Sequence, residues 1–315
     1  VNARVFLRIF LFGLSFSPLP ALAQTNVLFI GDSLSADRNS GLGRNLNLLT
    51  DRFTLKVESF CGFSPDNFTA ATSKGKMKSP CGAYTRSEEG LVQANEDGRP
   101  FPKIVLPPLP QLMSFRGSSK KADIVVIQLG TNLYDDLIED QKKGGSRGRR
   151  QITEKCRGLM AAVLKNNPDA KILWMAPPKI WSYEYGDPSR KVRISERLSD
   201  EMLGAIQLAA SRFKGKTKYS VSVIDSRPFT PDYPPHGATV GGDGTHFDRL
   251  PEAWIRQTAL AIESLAATPT LPEVPQNSPR IDTNRTKVIL PSKAGPGDPD
   301  PGLAPAGARK TRPAT

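Results

Sequence analysis

The stretch NVLFIGDSL, residues 26–34, decides how the rest of the chain is read. Val27, Leu28, Phe29 and Ile30 form an unbroken apolar run, the pattern of a strand covered on both faces. Gly31 ends the run, and Ser33 follows on the turn toward a helix. A serine so placed carries its hydroxyl to the top of a sheet, where its own N–H can face a reacting oxygen. Taken alone, Gly31-Asp32-Ser33-Leu34 is a short match, and a serine that only caps a helix would fit it too.

Four more apolar runs read as strands, at 53–58, 123–129, 171–175 and 220–225. They are short, rich in Val, Ile and Leu, and not strictly alternating. Helical periodicity marks 151–166, 191–213 and 251–267. Alternation of strand and helix argues for an α/β fold with a parallel sheet covered on both sides. Ligands of such sheets bind beyond the carboxyl ends of the strands. Residues 62–119 interrupt the pattern with a long Gly-, Pro-, Ser- and Lys-rich insertion, expected to cover the site. From residue 269 to 315 prolines recur every few positions, and Val288-Ile289-Leu290 is the one apolar cluster. This composition reads as a disordered or extended tail.

The start of the chain reads as an export signal. Arg4 and Arg8 precede a mostly apolar run, and Ala21-Leu22-Ala23 is a cleavage-type site before Gln24. The apolar run is short for a membrane span. The expected organisation is a signal over 1–23, a domain over 24–268 and a tail over 269–315. The expected location of the mature chain is a bacterial periplasm or the exterior. The 315 residues carry a formal charge of +12, which favours anionic surroundings. Nucleic acid is not expected as a partner, because export conflicts with it and no nucleic-acid motif is present. The chain has 2 histidines, which excludes a histidine-rich metal site, and no cofactor or metal motif is found.

Export permits disulfides. Of the 3 cysteines, Cys61 and Cys81 share a loop-rich stretch and are plausible partners. A bridge closing that loop would contribute about 3 kcal/mol. Cys156 instead falls on one helical stripe with Ile152, Leu159, Met160, Val163 and Leu164, as a small core residue. Three free buried thiols remain the alternative.

A serine hydroxyl is a poor nucleophile until a base takes its proton. His246 supplies such a base in Asp243-Gly244-Thr245-His246, just before the last helix. Asp243 lies three residues earlier, close enough for a turn to bring its carboxylate to the far imidazole nitrogen. A capping Asp and a surface His are the plainer alternative. His236 has no partner spacing and reads as a loop residue. Gly130-Thr131-Asn132 follows the third strand, where Asn132 can donate to an oxyanion. Gly62 follows the second strand, where a bare backbone N–H can do the same. Singly, both also fit ordinary turns.

The order Ser33, Gly62, Asn132, His246 resembles the SGNH hydrolases, also called the GDSL esterase family. The resemblance covers roughly residues 26–267, apart from much of the insertion. It implies a flavodoxin-like three-layer α/β/α sandwich with a five-stranded parallel sheet. It also implies a Ser33-His246-Asp243 triad, with the Ser33 backbone, Gly62 and Asn132 forming the oxyanion hole. Asp32 would be structural in the turn. Gly82, beside Cys81, is an alternative to Gly62.

A second serine motif, Gly144-Gly145-Ser146-Arg147-Gly148, matches the G-x-S-x-G elbow of another hydrolase fold. That elbow needs a strand before it. Here Gln141-Lys142-Lys143 precedes it, and the segment reads as a loop. Lys142, Lys143, Arg147, Arg149 and Arg150 make that loop basic, suited to an anionic substrate or envelope surface or simply solvated. The expected activity is hydrolysis of O-acyl esters, with acetyl groups on envelope carbohydrate or an anionic glycan as the candidate substrate. An O-acetyltransferase with the same triad is the alternative within enzymes. A catalytically silent module held to the envelope by the basic loop or tail is the alternative outside them.

Overall fold

The computed structural model describes residues 25–36, 45, 47–69, 82–94, 106–115, 120–145, 147–180, 182–184, 191–213, 220–229, 245 and 252–268. The expected signal, the Pro-rich tail, His236, Asp243, His246, Ser146 and Cys81 lie outside them. Along the chain the elements are β1 (Asn26–Gly31), α1 (Ser33–Ala36), α2 (Asn47–Thr50), β2 (Thr54–Phe60), α3 (Pro65–Thr69), β3 (Ala83–Arg86) and β4 (Val92–Ala94). There follow α4 (Leu109–Leu112), β5 (Ser114–Phe115), β6 (Lys120–Lys121), β7 (Ile124–Gln128), α5 (Tyr134–Lys142) and α6 (Arg147–Asn166). The last are β8 (Lys171–Met175), β9 (Ser182–Glu184), β10 (Lys191–Arg193), α7 (Glu196–Ser211), β11 (Ser220–Ile224) and α8 (Glu252–Ala267).

The main sheet is 7-stranded, in the order β11-β8-β7-β1-β2-β3-β4. Its first five members are the strands read from the sequence, and each adjacent pair among them is parallel. From β1 the chain steps outward to β2, then returns to the other side of β1 for β7, β8 and β11. The winding therefore reverses between β1 and β7, which is where such sheets open a crevice beyond their carboxyl ends.

Both faces are covered, as the unalternating runs require. Leu28, Ile30, Val125, Ile127, Ile172 and Trp174 pack against α5, α6 and α7 in one core. Val27, Phe29, Val126, Leu173 and Met175 point the other way, onto Trp254, Ile255, Ala259 and Ile262 of α8. The result is a three-layer α/β/α sandwich. Cys156 is fully buried in the first core, and loss of solvent pushes its thiol well above the usual range.

The insertion differs from the expected loop. Part of it forms the β3–β4 hairpin, which pairs antiparallel to β2 through Phe60↔Ala83 and Val57↔Arg86. The sheet therefore has two antiparallel strands beyond the five parallel ones. Phe68, Leu106, Leu109, Leu112, Met113 and Phe115 of the insertion join the α5–α7 core. The helix expected at 191–213 starts only at Glu196, because Ser195 caps it by accepting the Leu198 N–H at 3.3 Å. The residues just before it pair as β10 with β9. The helix expected from 151 starts earlier, at Arg147. Gly148 allows this, since a Cβ there would collide with the Asp136 carbonyl of α5.

Glu58 is half-buried on β2, between Ile30 of β1 and Thr85 of β3. Burial pushes its carboxyl up to about 7, against the pull of the Lys56 charge. A raised carboxyl favours the protonated folded state, so its contribution is lost as pH rises from the ordinary Glu range through about 7. Urea unfolding at pH 5 and pH 8 should show a smaller loss of stability across that interval in Glu58→Gln than in the parent. Equal losses would mean that Glu58 ionises normally.

Candidate active site

Register places the expected site residues on one edge. Gly31 of β1 stands beside Ser59 of β2 and Gln128 of β7. Ser33, Gly62 and Asn132 follow two, three and four residues later, past the carboxyl ends of three neighbouring parallel strands. They flank the point where the winding reverses.

The Ser33 turn is built by its neighbour. The Asp32 N–H donates to the Gln128 carbonyl at 3.1 Å. The Asp32 carboxylate is fully buried. Its Oδ1 accepts the Leu34 N–H at 3.1 Å and Gln128 Nε2 at 2.9 Å, and its Oδ2 accepts the Thr131 N–H at 3.3 Å. Desolvation raises the Asp32 carboxyl above its usual range, and these hydrogen bonds oppose that. Asp32 therefore fills the capping role at the start of α1. Ser33 is half-buried at the first position of α1.

A second layer of polar contacts lies behind the turn. Ser35 Oγ is 2.8 Å from Gln128 Oε1 and 2.9 Å from Ser59 Oγ. An amide oxygen only accepts, so Ser35 donates its one proton to Gln128, and Ser59 can donate to Ser35. Gly31 is needed beneath this cluster. A Cβ there would collide with Ser35 Oγ and stand 2.5 Å from Ser59 Oγ.

Gly62 sits in a tight turn closed by Phe63 N–H donating to the Phe60 carbonyl at 3.2 Å. Its φ of 79° is left-handed, a conformation that glycine adopts without a Cβ penalty. Asn132 Nδ2 donates to the Phe63 carbonyl at 2.8 Å, so the Asn132 amide is held against the Gly62 turn. The alternative glycine, Gly82, is buried and lies across the hairpin, accepting the Cys61 N–H at 3.0 Å. Cys61 is buried. Just before Asn132, Gly130 has φ 145°, and a Cβ there would come 2.7 Å from Pro177 Cγ.

The structure thus brings together Ser33, Gly62 and Asn132. Within the Asp243–His246 stretch only Thr245 is described, and it is buried. The segment around Ser146 connects α5 to α6 with no strand before it, contrary to what an elbow needs. Of the basic residues expected in a loop, Lys142 ends α5 and Arg147, Arg149 and Arg150 open α6, all exposed, while Lys143 just past α5 pairs with Glu139 at 2.8 Å. Gln128, Ser35 and Ser59 are not among the residues the sequence singles out; of the three only Gln128 has a sequence signal, as the polar residue directly after the apolar run 124–127.

A cavity of about 900 Å³ opens past the carboxyl ends of β8 and β11, with Lys179, Ile180, Arg193, Ile194, Asp200 and Arg227 in its wall. Arg227 is held by Asp225 at 2.8 Å and by Asp200 at 2.5 Å. The wall carries charges of both signs but exposes more apolar than polar surface, and Ser33, Gly62 and Asn132 are not among its lining residues.

No protein-family model matches the sequence, and no curated protein is similar to it. Solved structures similar to it include Est24, a carbohydrate acetylesterase from Sinorhizobium meliloti, at 16% identity over 77% of this chain and 100% of that one, with TM-score 0.45. The aryl esterase of M. smegmatis is 18% identical over 76% of this chain and 99% of that one, TM-score 0.41. The salicylyl-acyltransferase SsfX3 from a tetracycline biosynthetic pathway is 10% identical over 79% of this chain and 57% of that one, TM-score 0.42. At these scores the likenesses bear on neither substrate nor site residues.

Crowding beneath the Ser33 turn makes Gly31 sensitive. Gly31→Ala should destabilise the fold by about 1–3 kcal/mol, as overpacking does. The urea midpoint measures it, and an unchanged midpoint would mean that the cluster around Ser35 yields freely.

Proposed function

We propose that this chain is an exported serine esterase that hydrolyses O-acyl esters. The observation that carries the reading is the convergence of Ser33, the Gly62 turn and Asn132 on adjacent strand ends, with Asn132 bonded to Phe63 at 2.8 Å. In this reading His246 takes the Ser33 proton as Ser33 Oγ attacks the ester carbonyl. Asp243 holds the imidazole in the right tautomer. The developing oxyanion is met by the Ser33 and Gly62 N–H groups and by the proton of Asn132 Nδ2 that Phe63 does not use. His246 returns the proton to the leaving alcohol, and the acyl group stays on Ser33. Water, deprotonated by His246, then releases the acid and restores the serine.

The substrate is proposed to be a short acyl ester, such as acetyl, on carbohydrate of the cell envelope. The export-type start supports this location. The net charge of +12 suits an anionic envelope or glycan. A Cys61–Cys81 bridge belongs to the same proposal. It would tie the Gly62 turn covalently to the insertion.

Hydrolysis of p-nitrophenyl acetate tests the reading. Turnover should vanish to background in Ser33→Ala and fall about 10²–10³-fold in Asn132→Ala, the usual loss for one oxyanion donor. Equal rates in parent and Ser33→Ala would refute it. Faster cleavage of long-chain than of acetyl esters would refute the substrate preference alone.

A further inference from the structure

We infer that Gln128 is a positioning residue, holding the Ser33 turn and the Asn132 turn at a fixed spacing through Asp32 and Ser35. The inference rests on the esterase reading and adds a part to it. Gln128 is the one polar residue of β7, Ile124–Gln128, and is 1% exposed. Burying an amide there is costly unless its groups are bonded. Its carbonyl and both ends of its carboxamide engage the Ser33 side. Its carbonyl accepts the Asp32 N–H, its Nε2 donates to Asp32 Oδ1, and its Oε1 accepts from Ser35 Oγ.

The residue type follows from those contacts. A carboxylate neighbour calls for a donor, and a serine hydroxyl aimed at the same side chain calls for an acceptor. A carboxamide offers a donor and an acceptor on separate atoms of one planar group, and asparagine is one methylene shorter.

The consequence lies one bond further on. Strand pairing fixes Gly31 against Gln128, but it does not fix the turns that follow. The Asp32 carboxylate bridges them, with Leu34 N–H of the serine turn on one oxygen and Thr131 N–H of the asparagine turn on the other. Gln128 Nε2 shares the oxygen that holds Leu34. A carboxylate left without that donor can rotate, and the Ser33 to Asn132 spacing changes with it. Displacements of about 1 Å in such a site cost on the order of 10²-fold in rate.

The test uses the full chain with p-nitrophenyl acetate, far below the thermal midpoint of each variant. Gln128→Met keeps the length and removes both side-chain bonds. It should lower kcat about 10- to 100-fold with KM within about twofold of the parent. Ser35→Ala removes one arm and should lower kcat about fivefold, the worth of one hydrogen bond, again at constant KM. It also carries the test should Gln128→Met fail to fold. A folded variant of either kind with kcat within twofold of the parent would overturn the inference. So would parallel changes in kcat and KM that follow only the loss of stability. A parent protein that turns over no ester would overturn the esterase reading itself, and the positioning role with it.

Discussion

A carboxylate buried at the end of a sheet is the constraint on which the site depends. Asp32 has no access to water, so its charge is tolerable only if donors surround it. They come from three places: Leu34 on the serine turn, Thr131 on the asparagine turn and Gln128 on β7. Meeting that need draws two loops from separate strands onto one side chain. The same demand excludes a Cβ at Gly31, because Ser35 and Ser59 already crowd the space behind the turn. Site geometry is thus a by-product of solvating one acid internally.

The oxyanion side is built differently. Gly62 reaches its left-handed turn without a Cβ, and Asn132 is aimed by a single bond to the Phe63 carbonyl. Behind this turn stands the insertion, whose β3 and β4 extend the sheet past β2. The insertion therefore supports the Gly62 turn from the strand side as well as filling the core beneath it.

Much of this was legible in the sequence. All five parallel strands were: β1, β7 and β8 are buried and so are nearly continuous apolar runs, while β2 and the half-buried β11 keep enough Val, Leu and Ile to show. The positions of Ser33, Gly62 and Asn132 at strand ends followed from the same runs. The β3–β4 hairpin was not legible. Its strands are four and three residues long and include Arg86 and Gln93, too short and too polar to show a period. The start of α7 was misplaced because apolar spacing runs on through Val192 and Ile194, whereas the Ser195 cap decides where the helix begins. Gln128 was overlooked because its meaning lies in contacts with residues 93 and 96 positions away in the chain.

The central claim is that Ser33 is an activated nucleophile. Treatment with a fluorophosphonate, followed by peptide mass mapping, tests it most directly. A single phosphonyl adduct is expected on the peptide that contains Ser33, and none in Ser33→Ala. An unmodified protein, or an adduct on Ser146 instead, would contradict it.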